Sequence, residues 1–439
     1  MGIQQIVKTM AVGAFLCVVV AGSIAADWPN WRGPNWDGKS PETGINKDWK
    51  TKPPKELWRI KMSDDGFSGL CVAGGKLFVI DHDVPGKQDI VRAIDVKTGN
   101  ELWRYGFRSV EAPGHGYCNT TPAFEGGRLY VVSALKQIHC LDAKKGTMIW
   151  MRDLKADFQT DIGGAASPVI DGNNVTISAG GPNLMLAFNK ETGANVWQGG
   201  GEGGGGASHC TMLAGTFNGK RQCVGITHGK LVSVDANNGR TLWEVPTLAE
   251  HIPSPIVAGD NIFIGATGLH SFERRCTLVT PEGNILWEKE NGAGTQDYKQ
   301  SQNPEAIKVE KQIICPYLGT PIYADGYIYG SIGELSPNRA GPKQPQTLLC
   351  VEAKTGAVAW QGPDTGFQHF VAIAVDGVLI AIRHQNGPDE VVMVKLNPKA
   401  YEELGRFKLE FGPLTAPAIA DGKLFLRNGI KFVTCFDLK

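Results

Sequence analysis

The 439-residue chain is 42% hydrophobic and 20% charged, a composition that excludes an intrinsically disordered polymer. Its 44 basic residues balance 44 acidic ones and no basic run disturbs the balance, so nothing electrostatic points to nucleic acid or an anionic membrane surface as a partner. Length alone suggests two or three domains, but a repeat architecture can hold this many residues in one.

The first element in chain order is a leader. Lys8 precedes the apolar stretch MAVGAFLCVVVAGSIAA, which meets Asp27. A charged start, an apolar middle and small residues at the exit predict a secretory signal peptide over residues 1–26. Ser23 and Ala25 fit cleavage after Ala25, and cleavage after Ala26 stays open. The apolar run is short for a span of about 20 residues, which disfavours an uncleaved anchor. Cys17 lacks the small residues that precede a lipidated cysteine. No later stretch could span a bilayer, so the mature chain is read as exported, periplasmic or extracellular, with no transmembrane helix.

Residues 27–55 form an arm rich in tryptophan and proline. WPNWRGPNW, residues 28–36, carries three tryptophans and two prolines, and Trp49 follows. ELWRIK, residues 56–61, then reads as a lone strand with Trp58.

From residue 56 to 439 a unit of about 45 residues repeats. Its clearest copy is AIDVKTGNELW (93–103), followed by CLDAKKGTMIW (140–150), AFNKETGANVW (187–197), SVDANNGRTLW (233–243) and CVEAKTGAVAW (350–360). LVTPEGNILW (278–287) and KLNPKAYEELGRF (395–407) are degenerate copies, the second with Leu404 in place of tryptophan. Upstream of each lies a hairpin signature such as VAGGKLFVI (72–80) or IADGKLFLR (419–427), whose glycine turns supply positive φ. Each unit therefore reads as four short strands, A to D, with tryptophan on D.

Eight units start near residues 68, 118, 165, 208, 252, 318, 370 and 414, which predicts an all-β, eight-bladed propeller with four antiparallel strands per blade. The last unit stops after its strand C. The orphan strand 56–61 supplies the missing D and closes the ring. Trp58, Trp103, Trp150, Trp197, Trp243, Trp287 and Trp360 are then structural, each packing over the glycine turn of a neighbouring blade. The arm enters this outermost strand from the A–B/C–D turn face. It is expected at the perimeter of that face, its rings covering the seam of the closing blade.

Cys140, Cys350 and Cys435 share one repeat position with Ala93, Ala187 and Ser233, so a small buried side chain is expected there. Cys71, Cys118, Cys210, Cys223, Cys276 and Cys315 are less regular, and one disulfide among them stays open.

The Ala-x-Asp-x-x-x-Gly-x-x-x-Trp repeat, the eight blades and the closing N-terminal strand resemble the quinoprotein-like, pyrroloquinoline quinone (PQQ) repeat propellers. That family implies two roles: PQQ dehydrogenases, and non-catalytic members such as the propeller lipoprotein of the outer-membrane β-barrel assembly machinery. The opening WPNWRGPNWDGKSPETG resembles the leader of exported PQQ-repeat proteins of planctomycete-type bacteria. The dehydrogenase branch implies adjacent cysteines forming a vicinal disulfide against the quinone. This sequence has no Cys-Cys pair, and the family's calcium ligands and catalytic aspartate do not map onto it.

Eight of the nine histidines sort to the D–A/B–C loop face. His115, His209, His251 and His369 stand just before strand A, with Asp161 and Glu250 in comparable places; His82, His228, His270 and His384 lie near B–C loops, and His139 is inside a strand. The four pre-A histidines and these two carboxylates are the candidates for a polar mouth that takes a metal, an anion or a small polar ligand. No HxH or HExxH spacing marks a metal site. The glycine-rich loop 199–208 and the insertions 291–317 and 333–346, with Tyr298, Gln300, Glu334 and Arg339, belong to the same face. The expected function is a non-catalytic binding or scaffolding module that engages a protein partner or a polar ligand on that face. The alternative is a PQQ- or metal-dependent oxidoreductase with PQQ and Ca²⁺ in the histidine-lined funnel.

Overall fold

The computed structural model describes residues 26–63, 67–83, 85–109, 119–155, 166–201, 210–227, 229–247, 253–267, 274–291, 313–316, 318–332, 346–367, 369–384, 388–410, 415–428 and 431–439. They form eight sheets, each ordered A-B-C-D from one edge to the other. In blade 1 these strands are Cys71–Ala73, Lys76–Asp83, Gln88–Asp95 and Glu101–Arg108. The A strands of blades 1 and 2, 2 and 3, 3 and 4, and 5 and 6 touch, as do Cys71–Ala73 and Ala418–Ala420 of blades 1 and 8, so A is the inner strand and the sheets form a ring. Lys55–Lys61 pairs antiparallel with Phe432–Asp437, with Trp58 opposite Cys435, and closes the ring as the D strand of blade 8. The pairing covers the otherwise open edge of strand C in blade 8 and joins the two ends of the propeller in one sheet.

The acidic residue and the glycine of the repeat make one turn. Asp95 Oδ1 accepts the N–H groups of Lys97 and Thr98, and the Gly99 N–H donates to the Asp95 carbonyl. Those donors hold the Asp95 carboxyl below its usual range. The preceding blade's indole lies on that turn. Trp58 Nε1 donates to the Val96 carbonyl at 2.9 Å, and a Cβ at Gly99 would lie 3.0 Å from the ring. Trp103, Trp150, Trp197, Trp243, Trp287 and Trp360 donate likewise to Ala143, Lys190, Ala236, Pro281, Ala353 and Asn397. A bulge precedes each tryptophan and skips Leu57, Leu102, Ile149, Val196 or Leu286, which is why these apolar residues point outward. The small-residue position also has its cause here. Ala93, Cys140, Ala187, Ser233, Cys350 and Cys435 each sit directly opposite a repeat tryptophan. Among the described residues no disulfide forms.

Two glycines separate the cost of backbone strain from the cost of losing this contact. Gly146 (φ 72°) has Trp103 within 2.5 Å of a built Cβ, whereas Gly126 (φ 57°) faces open space. Gly126→Ala is expected to cost about 1 kcal/mol, the left-handed backbone term alone. Gly146→Ala is expected to cost at least about 2 kcal/mol more as the indole is displaced. Urea unfolding of the two variants measures the difference.

The arm departs from the expected perimeter position. Trp49 does cover a seam: it is 1% exposed and meets Phe407 of blade 7 edge-on, with Phe436 of blade 8 behind that ring. The rest of the arm turns inward. Lys39–Ser40 adds a parallel fifth strand to the inner edge of blade 7, opposite Ala374 and Val375. Trp28 bridges Val72 on the inner strand of blade 1, and Pro29 accepts the Phe124 N–H of blade 2. Trp36 packs on the clusters of blades 2 to 4 that contain Ile170 and Val169. Residues 28–40 therefore occupy the central channel. Inner strands leave one backbone edge unpaired, and the arm's own donors and acceptors satisfy part of it at Val72, Phe124 and Ala374.

Candidate functional site

The end of the channel toward the D–A loops is built by residues two places before strand A. Thr121, Ser167, Thr211, Ser254 and Thr320 occupy that place in blades 2 to 6, and all are buried. The N–H of Thr121 donates to Ser167 Oγ (2.9 Å), Ser167 to Thr211 Oγ1 (3.0 Å), Thr211 to Ser254 Oγ (2.9 Å) and Ser254 to Thr320 Oγ1 (3.0 Å). Gly69 holds the place in blade 1, where a Cβ would lie 2.1 Å from Thr121 Oγ1. The belt continues to blade 7 through the Gly319 N–H, which donates to the His369 carbonyl at 2.6 Å. Sequence reasoning missed this belt. Its signal was the recurrent hydroxyl-proline pair in Thr121-Pro122, Ser167-Pro168, Ser254-Pro255 and Thr320-Pro321.

The arm reaches the same level. Arg32 is 4% exposed, and its guanidinium donates to the carbonyls of Thr320 (2.5 Å), Pro321 (2.6 Å) and Asp37 (3.0 Å). Burial lowers its pKa to about 10, against an upward pull from Asp37, so it stays cationic at neutral pH. Gly33 (φ 84°) and Gly38 (φ 77°) make this possible. A Cβ on either would strike Trp28 or Arg32 within 2.8 Å.

Of the expected mouth residues, His115, Asp161, His209, Glu250 and His251 lie outside the described residues, as do His228, His270, Tyr298, Gln300, Glu334 and Arg339. His369 is described. Its ring meets that of His384 edge-on at 5.3 Å, and His384 Nδ1 lies 3.5 Å from Asp389. Beside them, Glu390 accepts from both Arg383 and Arg406 at 2.9 Å, and Arg406 also donates to Asp364 at 2.6 Å. Burial pushes the Glu390 carboxyl up, but the two arginines outweigh it and leave it lowered. In blade 1, His82 Nδ1 lies 2.9 Å from Asp89, with both side chains buried. The described charges at this end are thus paired among themselves.

His139 lies in strand C of blade 2, as its place in the repeat predicts, stacked on Phe107 at 4.7 Å. Burial lowers it to about 4. Burial, and then the charge of His384, lower His369 to about 4 against an upward pull from Asp389. Both are neutral in the fold and about 6.5 when unfolded. The stability their neutral burial contributes is therefore present above pH ~6.5 and lost as pH falls toward 4. His139→Phe, which keeps the ring against Phe107, is expected to remove up to about 3 kcal/mol of that loss. Urea midpoints at pH 7 and pH 4.5 for the two proteins test this.

The fold family implies PQQ with Ca²⁺. Among the described residues no three His, Cys, Asp or Glu side chains are grouped to hold a metal ion. The belt hydroxyls already accept amides, and the described arginines and carboxylates at the mouth already pair. The described donors do not fit the group, and no chemical step is derived through it.

A family profile described as outer membrane protein assembly factor BamB matches residues 86–362. Quinohemoprotein alcohol dehydrogenase ADH-IIG of Pseudomonas putida is 25% identical over 224 residues, 44% of this chain and 30% of that enzyme. The chain thus spans under a third of the curated relative it matches. Among solved structures, quinohemoprotein alcohol dehydrogenase from Comamonas testosteroni superposes with a TM-score of 0.64 at 14% identity, covering 93% of this chain and 80% of that one. BamB from Moraxella catarrhalis superposes at 0.59 and 13% identity, covering 88% and 98%. These two likenesses show a common fold. With more than half of its length matched by the profile, the chain belongs to the BamB-type family of PQQ-repeat β-propellers.

Proposed function

We propose that this chain is an exported, non-catalytic binding or scaffolding propeller, periplasmic or extracellular, which engages a protein partner or a small polar ligand with its D–A and B–C loops. One observation carries the proposal: the chain's own arm fills the axis. Arg32 caps the carbonyls of Thr320 and Pro321 at the level of the belt, which leaves the D–A and B–C loops around that end as the variable surface on a rigid scaffold. His115, Asp161, His209, Glu250, His251 and His369 are the candidate contacts. The BamB relative, by its name a factor of outer membrane protein assembly, supports a protein partner.

The match to a quinohemoprotein alcohol dehydrogenase favours a second reading, a PQQ- or metal-dependent oxidoreductase with its cofactor in the histidine-lined funnel. A photo-crosslinking residue at Arg339, in the insertion 333–346 assigned from the sequence to that face, is expected to capture a defined partner in cells. The same residue at Gly126, on an A–B turn, is expected to capture none. Capture from Gly126 and not from Arg339 would refute the assignment of the face.

A further inference from the structure

Glu42 is a carboxylate buried to 2% exposure inside the arm. Its own N–H donates to Ser40 Oγ at 3.2 Å, which fixes the backbone there. Oε2 accepts the Gly422 N–H of the blade 8 turn at 2.8 Å, and Oε1 accepts the Ala26 nitrogen at 3.0 Å. No lysine, arginine or histidine pairs with it among the described residues. The cations of this corner serve another acid: Lys423 lies 2.7 Å from Asp421, and Lys439 and Lys97 act on that same carboxylate. A carboxylate removed from water and met by two neutral amides is expensive.

The two residues after Ala26 hold it at this place. Asp27 accepts the Gly74 N–H at 3.2 Å, and Trp28 exchanges backbone hydrogen bonds with Val72. A cavity lined by Ala26, Asp27, Val72, Val96, Lys97 and Asp421 opens beside Ala26. The sequence immediately before it, Ser23-Ile24-Ala25, has the small residues of a leader cleavage site.

We propose that the Ala25–Ala26 bond is the processing site, and that the α-ammonium group created there is the missing counter-ion of Glu42. This rests on the export proposed above. In the active site of a membrane-bound leader peptidase, water adds across the amide. Its hydroxyl goes to the Ala25 carbonyl carbon and its proton to the Ala26 nitrogen. The proton of the resulting carboxylic acid then passes to the amine, leaving Ala25 as carboxylate and Ala26 as ammonium. An α-amino group has a pKa of about 7.7–8.0, so it is mostly charged at neutral pH, and an adjacent carboxylate extends that range. Processing thereby converts a hydrogen bond from a neutral amide into a part-buried ion pair that ties the start of the arm to blade 8. Cleavage one bond later would remove the nitrogen that meets Glu42.

The test begins with the full chain expressed with its leader in a Gram-negative host. N-terminal sequencing and intact mass of the exported protein are expected to give Ala26. An exported protein that starts at Asp27, or upstream of Ala26, overturns the inference and leaves the export reading standing. A chain retained inside the cell with its leader intact overturns both. On the mature protein, the α-amine is expected to react with an amine-selective aldehyde at least about tenfold more slowly than in Glu42→Gln, one pKa unit being tenfold. One glycine added before Ala26 is expected to lower the melting temperature by roughly 4 °C, as Glu42→Gln does, and the two changes together by no more than either. Equal reactivity, or additive shifts, would show that Glu42 and the terminus do not form a pair.

Discussion

A chain lacking residues 27–49 is expected to melt far below the intact protein while keeping the ladder between Lys55–Lys61 and Phe432–Asp437. Trp28 and Trp49 are each 1% exposed. Truncating one such indole to alanine costs about 3–5 kcal/mol. The two sit at opposite ends of the arm, on blade 1 and on the seam of blades 7 and 8, so their losses should nearly add. Deletion also strips Lys39–Ser40 from the inner edge of blade 7 and the Arg32 donors from Thr320 and Pro321. A loss of at least about 5 kcal/mol follows. Differential scanning calorimetry of the deletion, with Trp28→Ala and Trp49→Ala beside it, measures the effect. A melting temperature unchanged by the deletion would mean that the arm does not occupy the channel.

The second large effect belongs to the seam between the first and last blades. Arg427 on strand B of blade 8 is 2% exposed and donates to the carbonyls of Ser68 (3.1 Å) and Ile80 (2.9 Å) in blade 1. Ring closure thus has a side-chain component besides the Trp58 contact to Val96 across the same boundary. Arg427→Ala removes a charged donor from two buried carbonyls and leaves a cavity, with an expected loss of about 4 kcal/mol. Arg427→Met, which keeps the stem's packing, is expected to recover only about 1 kcal/mol of that. Urea unfolding of both variants reports the split. Equal stability of Arg427→Met and the parent protein would show that packing, not the carbonyl contacts, holds the seam.

The ring was legible in the sequence because its determinants are periodic. Asp95, Gly99 and Trp103 recur at fixed spacing in blade after blade, and the lone Trp58 strand matches the D strand missing after Asp437. The arm's path was not legible, because it is a set of single contacts. That Arg32 reaches Thr320 joins positions 288 residues apart with no repeat to announce it. Entry at the outermost strand suggested the rim, although an extended arm is long enough to reach the axis at about 3.3 Å per residue. The belt was legible in principle, since a hydroxyl followed by proline precedes four of the inner strands, Ala123–Glu125, Val169–Asp171, Ile256–Ala258 and Ile322–Ala324. Attention to histidines passed it by. Of those histidines, His369 and His384 meet at one corner of the mouth, whereas His82 is committed to Asp89 in blade 1 and His139 to the aromatic layer between blades 1 and 2.

The most direct measurement on function is a titration of the purified mature protein with PQQ in the presence of Ca²⁺, read by tryptophan fluorescence and by dye-linked oxidation of alcohols and aldoses. A propeller whose axis holds its own arm, and whose described mouth charges pair with one another, is expected to show no saturable quenching at high-micromolar PQQ and no dye reduction. Saturable quenching accompanied by turnover would contradict the binding-module account and establish the oxidoreductase instead.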